Sequence, residues 1–321
     1  MIAAYVTRID AQQPLNGLEL SEMPEPGVPH GWTTVRLRAA TLNHHDLWSL
    51  RGVGVTAEDL PLILGCDGAG LDEQGNEVVI HSVIGESGHG VGPDEPRSML
   101  SEKYPGTFAE RIAVPRWNLL PKPAALTFEE AACLPGAWLT AYRMLFTNAG
   151  LSPGDSVLVQ GAGGGVATAA VVLGSAAGFR VFVTSRDDVK RKRALGLGAE
   201  AAFEVGARLP HRVDAVLETV GAATWSHSIR SLKDGGRLVI SGATSGPNPP
   251  VGELQHIFYR ELRVIGSTMG SRKELAALLD FCVAKNVRPV VDSVFPLGDI
   301  RRAFERMERG DLFGKIVLTI P

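Results

Sequence analysis

A glycine-rich turn at residues 161–165 has a composition that fits phosphate binding. Glycines let the backbone turn tightly and approach a pyrophosphate, and a helix that follows offers free N–H groups and a positive dipole end. The spacing is not a strict G-x-G-x-x-G; the best match is Ala162-x-Gly164-x-x-Ala167. We predict dinucleotide contacts at Gly163, Gly164, Gly165 and Val166. A glycine-rich bend that binds nothing is the alternative.

The residues after the next apolar run indicate which nicotinamide cofactor would bind. NAD enzymes usually place Asp or Glu there, to hydrogen-bond the ribose 2′-OH. Here Thr184, Ser185 and Arg186 stand at that point, and Lys190 follows one turn into the next helix. Hydroxyls and two cations suit a 2′-phosphate, since Arg can bind it bidentately. We therefore predict NADPH, with solvated surface charges at Arg186 and Lys190 as the alternative.

Two strands and a helix must position these residues. Residues 157–160 are a short apolar run typical of a buried strand, and residues 180–184 form a second one. Residues 166–177 between them are small and aliphatic, as in a buried helix. This βαβ unit should have a right-handed crossover, and its context makes the degenerate glycine motif more specific. Asp187 should cap the next helix, at 189–195.

Composition limits the class of protein. The 321 residues suggest two domains, and 45% hydrophobic residues with 37 glycines fit an α/β enzyme with a large core. A net charge of −3 gives no attraction to nucleic acid or anionic membranes, and no apolar run is long enough to span a bilayer. Cys66, Cys133 and Cys282 form no disulfide framework, and residues 1–10 lack a signal-peptide pattern. We expect a cytoplasmic protein.

The order of elements predicts two domains of different architecture. Residues 1–121 are strand-like and rich in turns, which indicates an irregular β-barrel-like domain. Strands are predicted at 32–39, 78–80 and 108–114, and a polar, mobile loop at 81–106.

Strands and helices alternate through residues 122–267, which predicts a parallel, doubly wound sheet. Thr127 should cap the first helix. Helices are predicted at 137–149, 224–232 and 273–285, and strands at 213–217, 237–240 and 262–266. A last strand at 314–320 should return to the first domain, which we predict to comprise residues 1–121 and 268–321.

Six short motifs lie in a familiar order over nearly the full chain. They are NHHDLW at 43–48, PLILGCDGAG at 61–70, GTFAER at 106–111, LTAYRML at 139–145, GAGGGVA at 161–167 and GKIVL at 314–318. Together they resemble the medium-chain dehydrogenase/reductase superfamily, most of all its zinc-independent quinone oxidoreductase (zeta-crystallin-like) branch. The resemblance implies a GroES-like domain and a Rossmann domain, with the active site in the cleft between them.

The superfamily has zinc-dependent and zinc-independent branches. A catalytic zinc site takes three protein ligands, typically Cys and His, and keeps one position open. The zinc-branch ligand positions match Asn43, Cys66 and Gly136 here, with Asp67 where Glu is usual. Asn and Gly are not zinc ligands, and the four-cysteine structural lobe is replaced by residues 81–106. We predict no metal. A different metal site built from His44, His45, Cys66 and Asp67 is the alternative, which the spacing leaves open.

Without a metal, the negative charge that develops on a substrate oxygen needs donors or a proton. A conjugated enone or quinone suits hydride attack best, because its anion is delocalised. Asn43 is our first candidate for substrate or nicotinamide contact, with helix capping as its alternative. Thr140 would relay a proton or bond its own helix backbone, and His44 and His45 would act as general acids or be structural. Trp48 matches the aromatic position that covers the cofactor in the superfamily.

Further cofactor contacts are expected beyond the carboxyl ends of later strands. The predicted residues are Gly242, Ala243 and Thr244, then Ser267, Thr268 and Met269. The resemblance places them along the nicotinamide half, and ordinary turn chemistry is the alternative.

These observations predict an NADPH-dependent oxidoreductase that reduces quinones or α,β-unsaturated carbonyls by metal-free hydride transfer. We expect a small-molecule substrate, no nucleic acid or membrane partner, and a homodimer by analogy with the superfamily. Two alternatives stay open: a zinc-type alcohol dehydrogenase with a non-standard metal site, and a non-catalytic NADPH-binding protein.

Overall fold

The computed structural model describes residues 1–85 and 97–321, which form two compact units. Unit 1 comprises Met1–Ala137 with Gly270–Pro321, and unit 2 comprises Trp138–Met269. The first boundary thus lies later than the predicted one after residue 121. The helix that begins at Phe128 stays with unit 1, because the Thr41 hydroxyl donates to the Ala132 carbonyl over 3.3 Å.

The first part of unit 1 consists of short strands joined by turns. The strands are β1 (Ile2–Val6), β2 (Leu18–Glu22), β3 (Trp32–Thr41), β4 (Leu62–Ile63), β5 (Asp67–Asp72), β6 (Glu77–Ile80), β7 (Val83–Gly85), β8 (Arg97–Met99), β9 (Arg111–Pro115) and β10 (Leu119–Pro121). The helices are α1 (His44–Leu50) and α2 (Phe128–Ala132), with 3₁₀ turns at Pro14–Gly17, Ala57–Asp59 and Arg116–Asn118. As predicted, Thr127 caps α2, where its hydroxyl accepts from the Glu130 N–H over 3.2 Å.

Two details of the predicted β domain were wrong. The segment 81–106 contains β7 and β8, which pair antiparallel, and its residues 86–96 lie outside the described residues. The strand predicted at 108–114 begins only at Arg111, because Phe108 instead exchanges backbone hydrogen bonds with Ala4 and Leu64.

Unit 2 contains a six-stranded parallel sheet with helices between its strands. The strands are β11 (Ser156–Gln160), β12 (Arg180–Thr184), β13 (Ala201–Phe203), β14 (Val213–Glu218), β15 (Leu232–Ile240) and β16 (Arg263–Gly266). The helices are α3 (Leu139–Tyr142), α4 (Gly165–Ala176), α5 (Asp188–Gly196), α6 (Trp225–Ser231) and α7 (Leu254–Tyr259). The strand order β13-β12-β11-β14-β15-β16 is that of a doubly wound Rossmann sheet, so the predicted fold class is confirmed.

The helix predicted at 137–149 is less regular than expected. Only α3 is α-helical, and π-helical segments flank it at Leu134–Trp138 and Arg143–Asn148. Pro135 lies in the first of these segments and has no N–H to donate, which disfavours regular α-helical bonding there.

The last part of the chain completes unit 1 with α8 (Arg272–Ala284), β17 (Val291–Pro296), a 3₁₀ turn at Leu297–Asp299, α9 (Ile300–Arg309) and β18 (Lys315–Thr319). As predicted, the last strand returns to the first sheet: β18 pairs antiparallel with β3 and parallel with β17. The resulting order is β10-β6-β5-β3-β18-β17, with β9 also on β3. This return places Lys315 beside the start of α1.

Each unit has its own apolar core. In unit 1, Leu37 and Phe108 pack with Phe304 of α9, and in unit 2, Leu158 and Phe182 pack with Val216. None of the helices in residues 1–85 and 97–321 combines the length and the apolar character that crossing a membrane requires.

Candidate functional site

Helix α1 carries three of the predicted site residues of unit 1, and Asp46 fixes its start. The Asp46 carboxylate accepts from the backbone N–H of Asn43 over 2.7 Å and from that of Gly65 over 3.0 Å. Burial raises the pKa of Asp46 to about 6, although the charge of His45 and the hydrogen bond from Asn43 lower it. These bonds hold the helix start against the strand connection that precedes β5.

The side chain of Asn43 lies in a polar cluster formed by Asn43, Cys66, Asp67 and Lys315. Its Oδ1 accepts from Lys315 Nζ over 2.6 Å. Its Nδ2 donates to Asp67 Oδ2 over 2.8 Å and contacts Cys66 Sγ at 3.3 Å. Asn43 therefore occupies the N-cap position of α1, while its amide group cross-links the cluster.

Lys315 and Asp67 form the buried ion pair of this cluster. Their side chains are 3% and 0% exposed, and Nζ lies 3.2 Å from Oδ2. The ammonium group also donates to the Leu42 carbonyl over 2.8 Å, and the Thr41 hydroxyl donates to Asp67 Oδ2 over 2.8 Å. Both charges are thus paired and hydrogen-bonded, as buried ions require.

The cluster does not fit a zinc ion. The structure brings the three positions that match zinc ligands to one place, since Asn43 contacts Cys66 and a Cβ at Gly136 would lie 2.5 Å from Asp67 Oδ1. The donors there are an amide, a carboxylate and a thiol, and burial raises the pKa of the Cys66 thiol well above its usual value. Among residues 1–85 and 97–321, no three His, Cys, Asp or Glu side chains are grouped closely enough to hold a metal.

His45 pairs with a carboxylate that the sequence did not single out. Its Nε2 lies 3.1 Å from Glu102 Oε1. Burial alone would lower the pKa of His45, but the hydrogen bond to Glu102 and the charges of Asp46, Glu102 and Asp67 raise it. The His45 Nδ1 is buried and has no hydrogen-bond partner in the part of the chain that the structure describes. An imidazole oriented by a carboxylate, with its other nitrogen free, can act as a proton donor.

Trp48 lies one turn further along α1 and is half-buried. Its ring is 6.5 Å from that of the exposed His44. The structure places both side chains on unit 1 and leaves the cofactor-covering role of Trp48 a prediction.

In unit 2, the glycine turn has the geometry that phosphate binding requires. Gly161 follows β11 with φ of +87°, which favours glycine. Gly164 is the N-cap of α4, whose first turn carries no acidic residue. Apart from its own chain neighbours, a Cβ at Gly164 would meet no atom of the described residues within 4 Å, so the space before the helix is open. Gly163, Gly165 and Val166 belong to the same turn and helix start, and the arrangement fits a dinucleotide pyrophosphate.

The carboxyl end of β12 is cationic. Arg186 is exposed and makes no hydrogen bond or ion pair to any residue that the structure describes, and Lys190 is half-buried. The Ser185 hydroxyl accepts from the Asp187 N–H over 3.2 Å. Sequence reasoning missed Arg191, whose guanidinium donates to the Ser185 carbonyl over 2.7 Å. As predicted, Asp187 caps α5, accepting from the N–H groups of residues 189 and 190.

The later predicted contacts lie at the same edge of the sheet, since all its strands are parallel. Gly242 suits a close approach, because a Cβ there would lie 3.2 Å from the Thr219 carbonyl. The Thr244 hydroxyl donates to that carbonyl over 3.3 Å, which is turn chemistry, and Ala243 lies between them. Ser267 accepts from Asn148 Nδ2 over 2.9 Å, and Thr268 is exposed.

Thr140 is buried in α3, and its hydroxyl lies 4.0 Å from Met269 Sδ. The structure thus brings the predicted proton-relay residue to the segment that follows β16.

Sequence reasoning also missed a buried polar network beside the glycine turn. Glu218, fully buried at the end of β14, accepts from the N–H groups of residues 220 and 221 and from the hydroxyls of Thr224 and Ser228. Gln160 donates to Ser228 over 2.9 Å and accepts from Thr184 over 2.6 Å. The network fixes the loop after β14 to the ends of β11 and β12. In the sequence, the only local indication of this network was the polar residues at the ends of the strands.

A β-rich unit joined to a Rossmann sheet with an open glycine turn is typical of two-domain nucleotide-binding proteins. Comparisons with known proteins agree with this class. Residues 29–124 match the family model of the alcohol dehydrogenase GroES-like domain, and residues 197–318 match that of the zinc-binding dehydrogenases. The zinc-type alcohol dehydrogenase-like protein C1773.06c of Schizosaccharomyces pombe is 32% identical over 329 residues, covering 93% of each chain.

Two further relatives extend this likeness. The crotonyl-CoA carboxylase/reductase of Cereibacter sphaeroides is 28% identical over 365 residues, covering 96% of this chain and 85% of its own. A crystal structure of an NAD-dependent alcohol dehydrogenase has a TM-score of 0.91 at 34% identity and covers 100% of both chains. The chain belongs to the medium-chain dehydrogenase/reductase superfamily, and these relatives support a nicotinamide-dependent oxidoreductase in general.

Proposed function

We propose that this protein is an NADPH-dependent reductase of α,β-unsaturated carbonyls or quinones that works without a catalytic metal. The observation that carries the proposal is the donor set of the polar cluster. At the positions of the zinc ligands, an amide, a thiol and a glycine surround a buried Lys315–Asp67 pair, which offers no Lewis acid to polarise a simple carbonyl. The substrate must therefore already be conjugated, so that its anion is delocalised.

The chain would supply hydrogen-bond donors and a proton to that anion. The reduced nicotinamide supplies the hydride. His45 is our proton donor, because Glu102 orients its imidazole and raises its pKa. Thr140 stays our second candidate for proton transfer. The amide of Asn43 is already hydrogen-bonded at both ends, to Asp67 and to Lys315. Asn43 therefore fits a positioning role better than contact with the substrate.

The preference for NADPH rests on the end of β12. Arg186 is exposed and available for a phosphate, and Lys190 and Arg191 lie on the same helix start. Asp187 and Asp188, the acidic residues nearby, serve the cap and first turn of α5. Cations in this place bind a 2′-phosphate, whereas an NAD site would place a carboxylate on the ribose.

Conjugated substrates also agree with one relative, since crotonyl-CoA in the name of the Cereibacter protein is an α,β-unsaturated thioester. Two other relatives carry alcohol dehydrogenase names, which favours a zinc-type alcohol dehydrogenase as the second candidate. A non-catalytic NADPH-binding protein is the third.

We also propose a cytoplasmic homodimer. The free cysteines Cys66, Cys133 and Cys282 are all buried and suit a reducing compartment. The edge strand β16 and the neighbouring α7 expose apolar side chains, with Leu254, Phe258 and Tyr259 at 73%, 70% and 80%. An exposed apolar patch beside an open sheet edge is typical of an interface. Light scattering should give twice the chain mass, and Phe258→Glu should give a monomer.

A substrate panel tests the proposed reaction. The purified protein is assayed with NADPH against enones, enoyl thioesters and quinones, and with NADP⁺ and NAD⁺ against primary and secondary alcohols. We expect oxidation of NADPH by at least one conjugated substrate and none of the alcohols to react. Alcohol oxidation alone would favour the second candidate, and tight NADPH binding with no turnover would favour the third.

A further inference from the structure

The buried network beside the glycine turn ends in a carboxylate without a counter-charge. Glu218 is fully buried and makes no ion pair with any residue that the structure describes. Its oxygens accept from the N–H groups of residues 220 and 221, at 2.7 and 3.0 Å, and from the hydroxyls of Thr224 and Ser228, at 2.8 and 2.6 Å. Four neutral donors thus take the place of a cation. Since Ser228 has one hydroxyl hydrogen, that hydrogen is committed to Glu218.

This commitment fixes the side chain of Gln160 at the end of β11. Ser228 can only accept from Gln160, so the amide nitrogen of Gln160 must face it, at 2.9 Å. The same nitrogen donates to Nδ1 of His227 over 2.9 Å, because Nε2 of His227 donates to the Ala207 carbonyl over 2.9 Å. The amide oxygen is left for the end of β12, where it accepts from the Thr184 hydroxyl over 2.6 Å.

The last hydrogen bond of the series reaches the glycine turn. The Thr184 hydroxyl accepts from the N–H of Gly161, 3.4 Å away, where a φ of +87° begins the turn. Every hydrogen bond from the turn to the carboxylate therefore runs in one direction, and bonds aligned in this way strengthen one another in a buried site. The series is Gly161, Thr184, Gln160, Ser228 and Glu218.

We propose that Gln160 is a positioning residue for the pyrophosphate of the dinucleotide. Its amide, held in one orientation by Glu218, sets the start of the glycine turn through Thr184 and joins that turn to the loop at residues 219–221. Gln160 is fully buried, so it acts on the cofactor only through the segments that it connects. The inference rests on the proposed dinucleotide binding, but on neither the preference for NADPH nor the substrate.

The Gln160→Glu variant tests the direction of these hydrogen bonds. It keeps the size of the side chain and an acceptor for Thr184, but its carboxylate has no hydrogen for Ser228 or His227. Binding of ADP-ribose is measured by titration calorimetry, because this probe carries the pyrophosphate without the 2′-phosphate or the nicotinamide. We expect about tenfold weaker binding than in the wild type near pH 8.

The same variant should regain affinity as pH falls toward about 6, since protonation of the new carboxylate or of His227 restores a donor. The wild type should gain none, because there the Nδ1 of His227 must remain an acceptor for the amide of Gln160. A residue with a merely structural role would not give the two proteins pH profiles of different shape.

Other titratable groups face this position in both proteins. The buried carboxylate of Glu218 opposes a second ionised carboxylate beside it, so the pKa of the new side chain should lie above its ordinary range. His227 also lines a cavity of about 450 Å³, whose other titratable residues are Arg208, His211, Arg212 and Arg230. Because the wild type and the variant share these groups, the difference between their pH profiles reports the residue at position 160.

A second pair of variants tests the link to the turn. Thr184→Val removes the hydroxyl at nearly constant volume, and Thr184→Ser retains it. We expect Thr184→Val to weaken the binding of ADP-ribose, NADH and NADPH to the same extent, about tenfold, and Thr184→Ser to bind like the wild type. Equal loss for all three ligands identifies the shared pyrophosphate as the group that is positioned.

Ser156→Ala is the control for a loss of stability. Ser156 begins β11, and its hydroxyl donates to Asp214 Oδ2 of β14 over 2.7 Å. This variant removes a buried hydrogen bond at the opposite end of the same strand. It should lower the midpoint of thermal unfolding as Thr184→Val does, and it should leave the binding of ADP-ribose unchanged.

The proposal is overturned if Gln160→Glu binds ADP-ribose like the wild type at every pH, if its affinity does not recover in acid, or if Ser156→Ala weakens binding as much as Thr184→Val. In these cases the wild type still binds, so the dinucleotide site stands. If the wild type binds neither ADP-ribose nor NADH nor NADPH, the dinucleotide site and this inference both fail. Should Gln160→Glu fail to fold, the comparison of Thr184→Val with Thr184→Ser decides.

Discussion

The polar cluster of unit 1 and the carboxyl-end edge of unit 2 use their hydrogen-bonding groups in opposite ways. In the cluster, Asn43, Asp67 and Lys315 satisfy one another inside the protein. At the edge of unit 2, the helix start at Gly164 faces open space, and Arg186 makes no hydrogen bond or ion pair with the described residues. A cluster whose hydrogen-bonding groups are paired inside the protein stabilises the fold. An edge whose groups have no internal partner is available to a ligand.

The difference separates two kinds of residue that looked alike in the sequence. Asn43 and Arg186 were both candidates for ligand contact on the basis of their chemistry. Only the structure distinguishes a side chain whose partners are all internal from one that still has capacity to bind. The largest effect that this difference predicts is on the unfolding free energy of unit 1.

Asp67→Ala should cost about 3–5 kcal/mol of unfolding free energy, because it leaves the buried ammonium of Lys315 without its counter-charge. Urea unfolding measures the loss. The matched control is Glu58→Ala, which removes an exposed carboxylate of the same unit and should change the free energy by less than about 0.5 kcal/mol. Equal effects of the two substitutions would mean that the cluster contributes nothing to the fold.

Arg186→Ala should weaken NADPH binding by about 10- to 100-fold, the usual range for one charge-assisted hydrogen bond, and leave NADH binding unchanged. Fluorescence titration of both cofactors measures this. Lys192→Ala is the control, since Lys192 is a cation of the same helix already paired with Asp188 at 2.7 Å. If the wild type binds NADH as tightly as NADPH, the 2′-phosphate site is wrong.

Glu102→Gln should lower the pKa of His45, since the carboxylate raises that pKa against the effect of burial. The pH profile of kcat/KM for NADPH oxidation should lose activity as pH rises through this pKa, at a lower pH in the variant. NMR titration of the imidazole gives the pKa directly. An unchanged His45 pKa in Glu102→Gln would remove the carboxylate from the proposed proton donor.

The same pair gives a smaller, pH-dependent effect on stability. A raised pKa of His45 in the folded protein contributes stability below the unfolded value of about 6.5, which is lost as pH rises through the folded pKa. The pKa of Glu102 is lowered, mainly by its hydrogen bond with His45. Protonation of Glu102 in acid therefore removes the stabilisation that the pair contributes. Because both side chains are partly exposed, the stability difference between wild type and variant should be about 0.5–1 kcal/mol near pH 6 and should vanish at high pH.

Local patterns predicted much of unit 2. The βαβ unit, the cap at Asp187 and the parallel sheet all follow from signals within some thirty residues, where strand, turn and helix preferences agree. The strand β13 and the helix α7 were missed, because both are short and lack a clear period.

Long-range pairing explains what the sequence did not predict in unit 1. Lys315 meets Asn43 only because β18 returns to pair with β3, and Glu102 meets His45 across 57 positions of the chain. Neither contact leaves a local signal. The resemblance predicted that zinc ligands would be missing at Asn43 and Gly136, but it did not predict that a lysine would stand among those positions.

Metal removal tests the central claim most directly. The protein is purified from zinc-supplemented medium, its metal content is measured, and NADPH oxidation by a reactive enone or quinone is assayed before and after chelation. We predict far less than one equivalent of zinc and an unchanged rate after chelation. One equivalent of zinc, with activity that is lost on chelation and restored by zinc, would contradict the account.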